Sequence, residues 1–290
     1  MEQNKISRRN FLRVAGASAT AAAMGGLVPA ASAAGIKDLW SMDLQILATS
    51  DTHGKFDPWD YAANKADASG SVAQQATAIK ENRTKTTLVV DAGDTIQANS
   101  AELFLNDDVH PMIAAQNAIG YDVYVTGNHE WASGRMPEMR QLLEETGVTY
   151  LSNTFVPLER SGDTITLAGI DDPNGYAGQK SPEEVAGEVK EAAGDGFWLL
   201  MAHRNNLFDG EYCRLGADLV LSGHGHGGIW RLPFTDGLLG AGGQLLPGFT
   251  NGFYRCTDGH EAQVFVTRGL GGIPRLFNHP QVAVLTLHCE

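Results

Sequence analysis

The chain has 290 residues, 43% of them hydrophobic and none in a low-complexity tract, which excludes a disordered or fibrous protein and leaves room for a substantial core. Its formal net charge of −13 argues against broad electrostatic binding to nucleic acid or to an anionic membrane, so any attraction for an anionic substrate must be local.

Residues 1–33 read as a segment apart. Ser7-Arg8-Arg9-Asn10-Phe11-Leu12 is followed by a weakly apolar Ala/Gly stretch from Val14 to Val28 and by a small-residue cleavage site, Ala31-Ser32-Ala33. This order resembles a twin-arginine export signal. The other reading is a basic amphipathic helix of the mature protein, and Gly16, Gly25, Gly26 and Pro29 argue against it. The apolar stretch is shorter than the ~20 residues a membrane span needs. The expectation is an exported protein, periplasmic or otherwise extracytoplasmic, that passes folded through the twin-arginine machinery; cleavage of the signal or its retention as an anchor stays open. Without this segment the chain has 17 basic and 33 acidic residues, a formal charge of −16. Cys213, Cys256 and Cys289 are too few for a disulfide scaffold, and either one pair forms after export or all three stay unpaired.

From residue 34 to 290 no repeat or linker marks a second domain. Leu44 to Ser50 is an apolar run that leads into Asp51-Thr52-His53-Gly54. A helix-like segment, Ser71 to Asn82, follows. Thr86 to Val90 leads into Asp91-Ala92-Gly93-Asp94, with helical patterns at Ser100 to Phe104 and Met112 to Ile119. Tyr121 to Thr126 leads into Gly127-Asn128-His129-Glu130, and Met136 to Thr146 reads as a helix. Thr164 to Ile170 is a strand and Pro182 to Ala193 a helix opening after Ser181. Phe197 to Ala202 leads into His203, and Ala217 to Ser222 into Gly223-His224-Gly225-His226. The Gly-rich segment from Phe234 to Gly252 reads as a loop or hairpin near the site, before strands at Ala262 to Thr267 and Val282 to Leu287. Strands alternating with helices predict an α/β layer architecture, in which ligands collect beyond the carboxyl ends of the strands.

Every candidate ligand follows that rule. Asp51, His53, Asp94, Asn128, His203, His224 and His226 all stand at strand ends. Carboxylates and neutral imidazoles suit Zn, Mn, Fe or Co, while the absence of thiolates among them disfavours a structural zinc knot. Seven ligands are too many for one ion. Two ions bridged by one carboxylate would use them all and leave positions for water and substrate. Taken singly, Asp51 is equally a turn or cap residue, Asn128 a turn residue and His203 a core histidine. His110, His260, His279 and His288 belong to no such pattern and read as packing or surface residues, and Arg204 and Arg268 read as ordinary salt-bridge partners in preference to phosphate contacts.

DTH, GDT, GNHE, a lone His after a strand and GHGH, in this order from about Leu44 to Leu287, resemble the calcineurin-like metallophosphoesterases. The resemblance implies a four-layer αββα sandwich of mixed sheets with the metal site at the carboxyl ends of the strands. It also implies a dinuclear centre of divalent ions: Asp51, His53 and His226 hold the first metal, Asn128, His203 and His224 the second, and Asp94 bridges them. Asn128 and His129 would bind substrate, and His129 would contact the phosphoryl oxygens or protonate the leaving group.

The first half is similar to 5′-nucleotidases and cyclic-nucleotide phosphodiesterases, and the part beyond Gly147 to compact exported bacterial phosphoesterases. The chain is expected to lack the nucleoside-gripping C-terminal domain of the nucleotidase branch. Ala132 stands where that branch has an Asp orienting the catalytic His, and Ile229 where the compact branch has Gln. The expected function is hydrolysis of phosphomonoesters or phosphodiesters, with a small diester or nucleotide favoured. The alternatives are a non-catalytic metal- or phosphate-binding periplasmic protein, a lipid-headgroup pyrophosphatase, and a nuclease, the last disfavoured by charge.

Overall fold

The structure, a computed structural model, describes residues 14–17, 43–60, 64–96, 110–160, 163–232, 236–272 and 274–288. The twin-arginine pair, the cleavage site, the expected helix at 100–104 and Cys289 lie outside these residues. In chain order the first half comprises Val14–Ala17 (β1), Asp43–Thr49 (β2), the hairpin Trp59–Asp60 (β3) and Lys65–Ala66 (β4), Val72–Asn82 (α1), Thr87–Asp91 (β5), Pro111–Ile119 (α2), Val123–Tyr124 (β6), Asn128–Ala132 (α3), Met136–Thr146 (α4) and Thr149–Tyr150 (β7). The second half comprises Thr154–Arg160 (β8), Asp163–Ile170 (β9), Pro182–Ala193 (α5), Trp198–Arg204 (β10), Leu219–Gly223 (β11), Gly252–Arg255 (β12), Gln263–Val266 (β13) and Ala283–His288 (β14).

One sheet runs β1-β14-β2-β5-β6-β7 and the other β12-β13-β11-β10-β9-β8. Both are mixed. β2, β5, β6 and β7 are parallel, with β14 antiparallel to β2. β9, β10, β11 and β13 are parallel, flanked by antiparallel β8 and β12. Because side chains alternate along a strand, each central strand buries both of its faces. Ile46, Ala48 and Val90 pack inward against Leu199, Met201 and Leu221 of the facing sheet. Leu47 and Val89 turn outward to Ile79 of α1, and Tyr124 to Met139 and Leu143 of α4. On the far side Leu200 and Val220 meet Val185 and Val189 of α5. The layers are therefore helix, sheet, sheet, helix, the four-layer α/β sandwich expected.

Helix boundaries follow the local chemistry. Ser181 and Glu184 form a capping box ahead of α5: the Glu184 amide donates to Ser181 Oγ at 3.2 Å, and the Ser181 amide to Glu184 Oε2 at 2.7 Å. Gly120 and Gly147 end α2 and α4 with φ of 85° and 79°. β6, α3 and β1 depart from expectation. β6 is only two residues long, because Asp122 turns its carboxylate to the Val89 amide at 2.8 Å and Tyr121 packs on the outer face. Asn128 does not sit in a loop but opens α3. β1 pairs with β14 at the sheet edge, so four residues of the segment read as an export signal extend the sheet.

Candidate metal centre

Five strand ends deliver the donors to one place. Asp51 and His53 follow β2, Asp94 follows β5, Asn128 opens α3 just past β6, and His224 and His226 follow β11. His203 lies within β10, where the register with β11 shifts between Met201 and Arg204. Asp51, His53, Asp94, His224 and His226 all have left-handed backbones, with φ of 50°, 48°, 60°, 64° and 47°. Asp and His tolerate this region better than bulkier residues, yet each such residue costs of order 1–3 kcal/mol and persists only where the surroundings enforce it. Here backbone bonds between neighbouring loops do so: Asp51 N to Gly93 O (2.8 Å), His53 N to Asp94 O (2.9 Å) and Gly54 N to Thr95 O (2.7 Å).

The side chains form overlapping groups, one of which, His53, Asp94 and His129, joins the other two. Donor atoms of Asp51, His53 and His226 lie within 4.8 Å of one another, as do those of Asp94, His203 and His224. His53 Nε2 is 3.2 Å from His226 Nε2 and 3.9 Å from Asp94 Oδ2, so Asp94 stands between the groups. His203 Nε2 is 3.0 Å from Asp94 Oδ2, while its Nδ1 donates to Ala92 O at 2.8 Å and fixes which nitrogen faces the centre. Asn128 sits between two residues that touch Asp94: a Cβ on Gly127 would lie 2.2 Å from Asp94 Oδ1, and the His129 amide donates to that oxygen at 2.8 Å. The Asn128 Oδ1 is buried with no hydrogen-bond partner. The His129 ring stands edge-on to His53, with centroids 4.6 Å apart.

Electrostatics sort the imidazoles. Burial pushes His53 down to about 4, with the neighbouring Asp94 opposing, and pushes His224 and His226 down to about 3, aided by His203 and Arg275 respectively. All three are neutral at pH 7, the form that ligates. Burial also disfavours charge on His203, but the Asp94 carboxylate outweighs it and raises the group to about 10. Asp94, although buried, is held well below the usual carboxylate range by His203 and His53. A buried acceptor without a partner, three neutral imidazoles and two carboxylates are a donor set that fits divalent cations.

Several supporting residues were not evident from the sequence. Glu130 directs its carboxylate at the amides of Asp94, Thr95, Ile96 and Gly127 at 2.6–3.1 Å, tying the Asp94 loop to α3. Its place three residues after Gly127, the third position of a helix start, is the one signal that could have revealed it. Burial drives Asp91 up to about 7 despite donors from Thr49, Gly93 and Thr95. Arg275 donates to the carbonyls of Arg268 and Gly271 behind His226. Arg204 makes a two-pronged salt bridge to Asp172 at 2.6 and 3.1 Å, and Arg268 has its amide on Gln281. His110 caps α2, His260 pairs with Asp258 and His288 with Asp43. His224 also lines a 230 Å³ cavity whose far wall is the Gly-rich segment, from Gly240 to Thr250. Cys213 and Cys256 are bonded to each other, so with the nearby Asp258 they form no metal-ligand set.

The profile of the calcineurin-like phosphoesterase family matches residues 44–228. The trifunctional nucleotide phosphoesterase YfkN of Bacillus subtilis is 38% identical over 103 residues, 31% of this chain and 7% of the relative. The 2′,3′-cyclic-nucleotide 2′-phosphodiesterase/3′-nucleotidase of Salmonella typhimurium is 32% identical over 102 residues, 32% of this chain and 16% of the relative. The chain thus spans less than a fifth of the length of either. Among solved structures, the calcineurin-like phosphoesterase YfkN of Bacillus subtilis superposes with a TM-score of 0.55 at 23% identity, covering 79% of this chain and 82% of that one, a likeness of fold. Among the described residues no helix is long and apolar enough to cross a membrane.

Proposed function

The chain belongs to the calcineurin-like phosphoesterase family, metal-dependent phosphoric ester hydrolases, and from that premise we propose that it is an exported dinuclear enzyme hydrolysing a phosphomonoester or small phosphodiester, with nucleotides the favoured class. The observation that supports this reading is the convergence of Asp51, His53, Asp94, His203, His224 and His226 from the ends of four separate strands, with Asp94 facing both His53 and His203. Asp51, His53 and His226 would hold one cation, and Asn128, His203 and His224 the other, with Asp94 shared; Mn, Fe, Zn and Co all accept such donors. When bound, the pair would supply positive charge to screen the phosphoryl oxygens and to lower the pKa of water.

The chain's own groups perform the rest. Neutral His53, His224 and His226 offer lone pairs without competing protons. His129, its amide fixed on Asp94, would hold the phosphoryl group and donate a proton to the departing oxygen as water adds to phosphorus and the ester P–O bond breaks. Ala132 leaves the carboxylate partner of the nucleotidase branch unfilled, so this proton transfer would contribute less here than there. Nucleotide substrates are favoured by the relatives matched, which are named as nucleotide phosphoesterases. Export is supported by the Cys213–Cys256 disulfide, a bond that persists in oxidising compartments, together with the Arg8-Arg9 segment.

The test is Asp94→Asn against p-nitrophenyl phosphate, bis-p-nitrophenyl phosphate, AMP and 2′,3′-cyclic AMP. Turnover should vanish on every substrate while the circular dichroism spectrum is kept. Full activity in the variant would overturn the assignment.

A further inference from the structure

Of the four candidate imidazole ligands, His53, His203 and His226 are buried, and His224 is half-buried. His224 lines the 230 Å³ cavity, so a candidate donor of the metal centre is itself part of the cavity wall. The Gly-rich segment opposite is fixed at both ends to the loop that carries His224. At one end Asn205 Nδ2 donates to Phe249 O at 2.7 Å, and a Cβ on Gly225, between the two histidines, would lie 2.5 Å from that same nitrogen. At the other, Gly237 runs so close to Gly228 that a Cβ on Gly228 would meet its Cα at 2.6 Å. Between these anchors the chain folds back as a hairpin, with Leu246 N on Leu238 O at 3.0 Å and Gly240 N on Gln244 O at 2.8 Å.

No Lys, Arg, Asp or Glu lines the cavity. Its polar side chains besides His224 are three carboxamides and a hydroxyl. Asn205 is committed to Phe249 O and Thr250 to Asp236 O. Asn206 and Gln244 are exposed, and their carboxamides make no hydrogen bond among the described residues. Gln244 lies back over the hairpin tip, where a Cβ on Gly240 would come within 2.5 Å of its Oε1 and one on Gly242 within 3.0 Å of its Nε2. Phe249, whose ring is fixed against Phe208 and Tyr254, and Pro247 add apolar surface. A carboxamide offers donor and acceptor side by side, and so do the hydroxyls of a vicinal diol. With no charged side chain on the wall, the match is to a neutral alcohol and not to an ammonium or a second phosphate. The volume of 230 Å³ falls below the roughly 300–1,000 Å³ of a pocket for a drug-sized molecule, which leaves room for one sugar-sized group.

We propose that this cavity is the subsite for the alcohol part of the ester, and that it takes a compact neutral polyol or sugar whose hydroxyls bond to Asn206 and Gln244 beside His224. The proposal rests on the phosphoesterase reading. It places recognition on the sugar of a nucleotide and leaves the base in solvent, so sugar and polyol phosphates that carry no base qualify equally.

The double variant Asn206→Leu with Gln244→Leu removes both uncommitted carboxamides at similar volume, and neither residue is a candidate ligand. In the full metal-loaded protein, the ratio of kcat/KM for ribose 5-phosphate to that for phenyl phosphate, which has no hydroxyl to read, should fall about tenfold in this variant, the size of two lost hydrogen bonds. In the parent, AMP, CMP and ribose 5-phosphate should differ in kcat/KM by less than about tenfold. Ribose alone separates the subsite from turnover: saturation-transfer NMR should show it bound to the parent and lose the signal in the double variant. Both residues are exposed, so the variant should keep its fold and its Mn content, which circular dichroism and elemental analysis check. An unchanged ratio, a nucleotide preference of about tenfold or more over ribose 5-phosphate, or ribose saturation that is absent or survives in the variant would overturn the proposal. Absence of turnover on any phosphoester would instead sink the functional reading, and the ribose NMR would still decide the subsite.

Discussion

The amide of Asp94 donates to Oε2 of Glu130 at 2.8 Å, joining the loop after β5 to a helix 36 residues further on. Three more amides, of Thr95, Ile96 and Gly127, converge on the same fully buried carboxylate. Burial and the charge of Asp94 both push Glu130 up, and the amides oppose them. Glu130→Gln keeps the shape but turns an NH2 toward N–H groups, leaving buried donors unmatched. We expect a loss of about 1–3 kcal/mol in urea unfolding and a 10–100-fold weaker Mn affinity by calorimetry, the usual cost of disturbing a ligand's support. Unchanged stability and affinity would show that the clamp does not position Asp94.

This clamp also marks where sequence reading ends. The candidate donors were legible because each follows a buried apolar run within a few residues, and turn-tolerant Asp, His and Asn at such places carry a local signal. So were helices α4 and α5, bounded by Gly147 and by the Ser181 box. Glu130 was not, since its amide partners at 94–96 lie more than 30 residues away. The Cys213–Cys256 pairing was equally hidden: three cysteines allow three pairings, and only the packing of β12 beside the turn at Tyr212–Arg214 selects one. β8 and β12 escaped because their faces are mixed and half-exposed, without the continuous apolar run of a central strand.

Metal uptake should release a proton, and His203 should be its source. With His53 near 4 and His224 and His226 near 3, these rings are neutral at pH 6 with one ring nitrogen free of protons, whereas His203, near 10, carries a second proton on the atom facing Asp94. A cation bound there must displace it. The logarithm of the affinity should therefore rise by one per pH unit between about 4 and 10 and fall more steeply below 4, where His53 protonates as well. Calorimetry at pH 6 in buffers of different ionisation enthalpy gives the count. Zero protons released would refute the charged state of His203.

The disulfide closes a loop of 43 residues between the turn at Tyr212–Arg214 and the end of β12. Loop-closure entropy for that separation corresponds to about 3–4 kcal/mol of stability. Replacing both cysteines, Cys213→Ala with Cys256→Ala, should lower the unfolding free energy by about that amount and leave the metal content unchanged, because neither sulfur approaches the donor groups. Dithiothreitol should lower the melting temperature of the parent and not of the double variant. Equal stability of parent and variant would contradict the pairing.

Gly272 offers a test of the proposed division into two cation sites. Its φ is 95°, and the three atoms nearest a Cβ there would all belong to His53 and His226, with His53 Cδ2 at 2.6 Å and His226 Cε1 at 2.7 Å. In Gly272→Ala the rings of the first group must move, since a methyl group at that distance overlaps both and the left-handed backbone itself disfavours Ala by about 1–2 kcal/mol. The second group keeps its geometry through the His203 bond to Ala92. The expected outcome is a fall from two bound Mn to one by elemental analysis, with loss of turnover. Two equivalents bound with parental activity would mean that His53 and His226 do not share a cation, and the division of the seven donors into two sites would have to be redrawn.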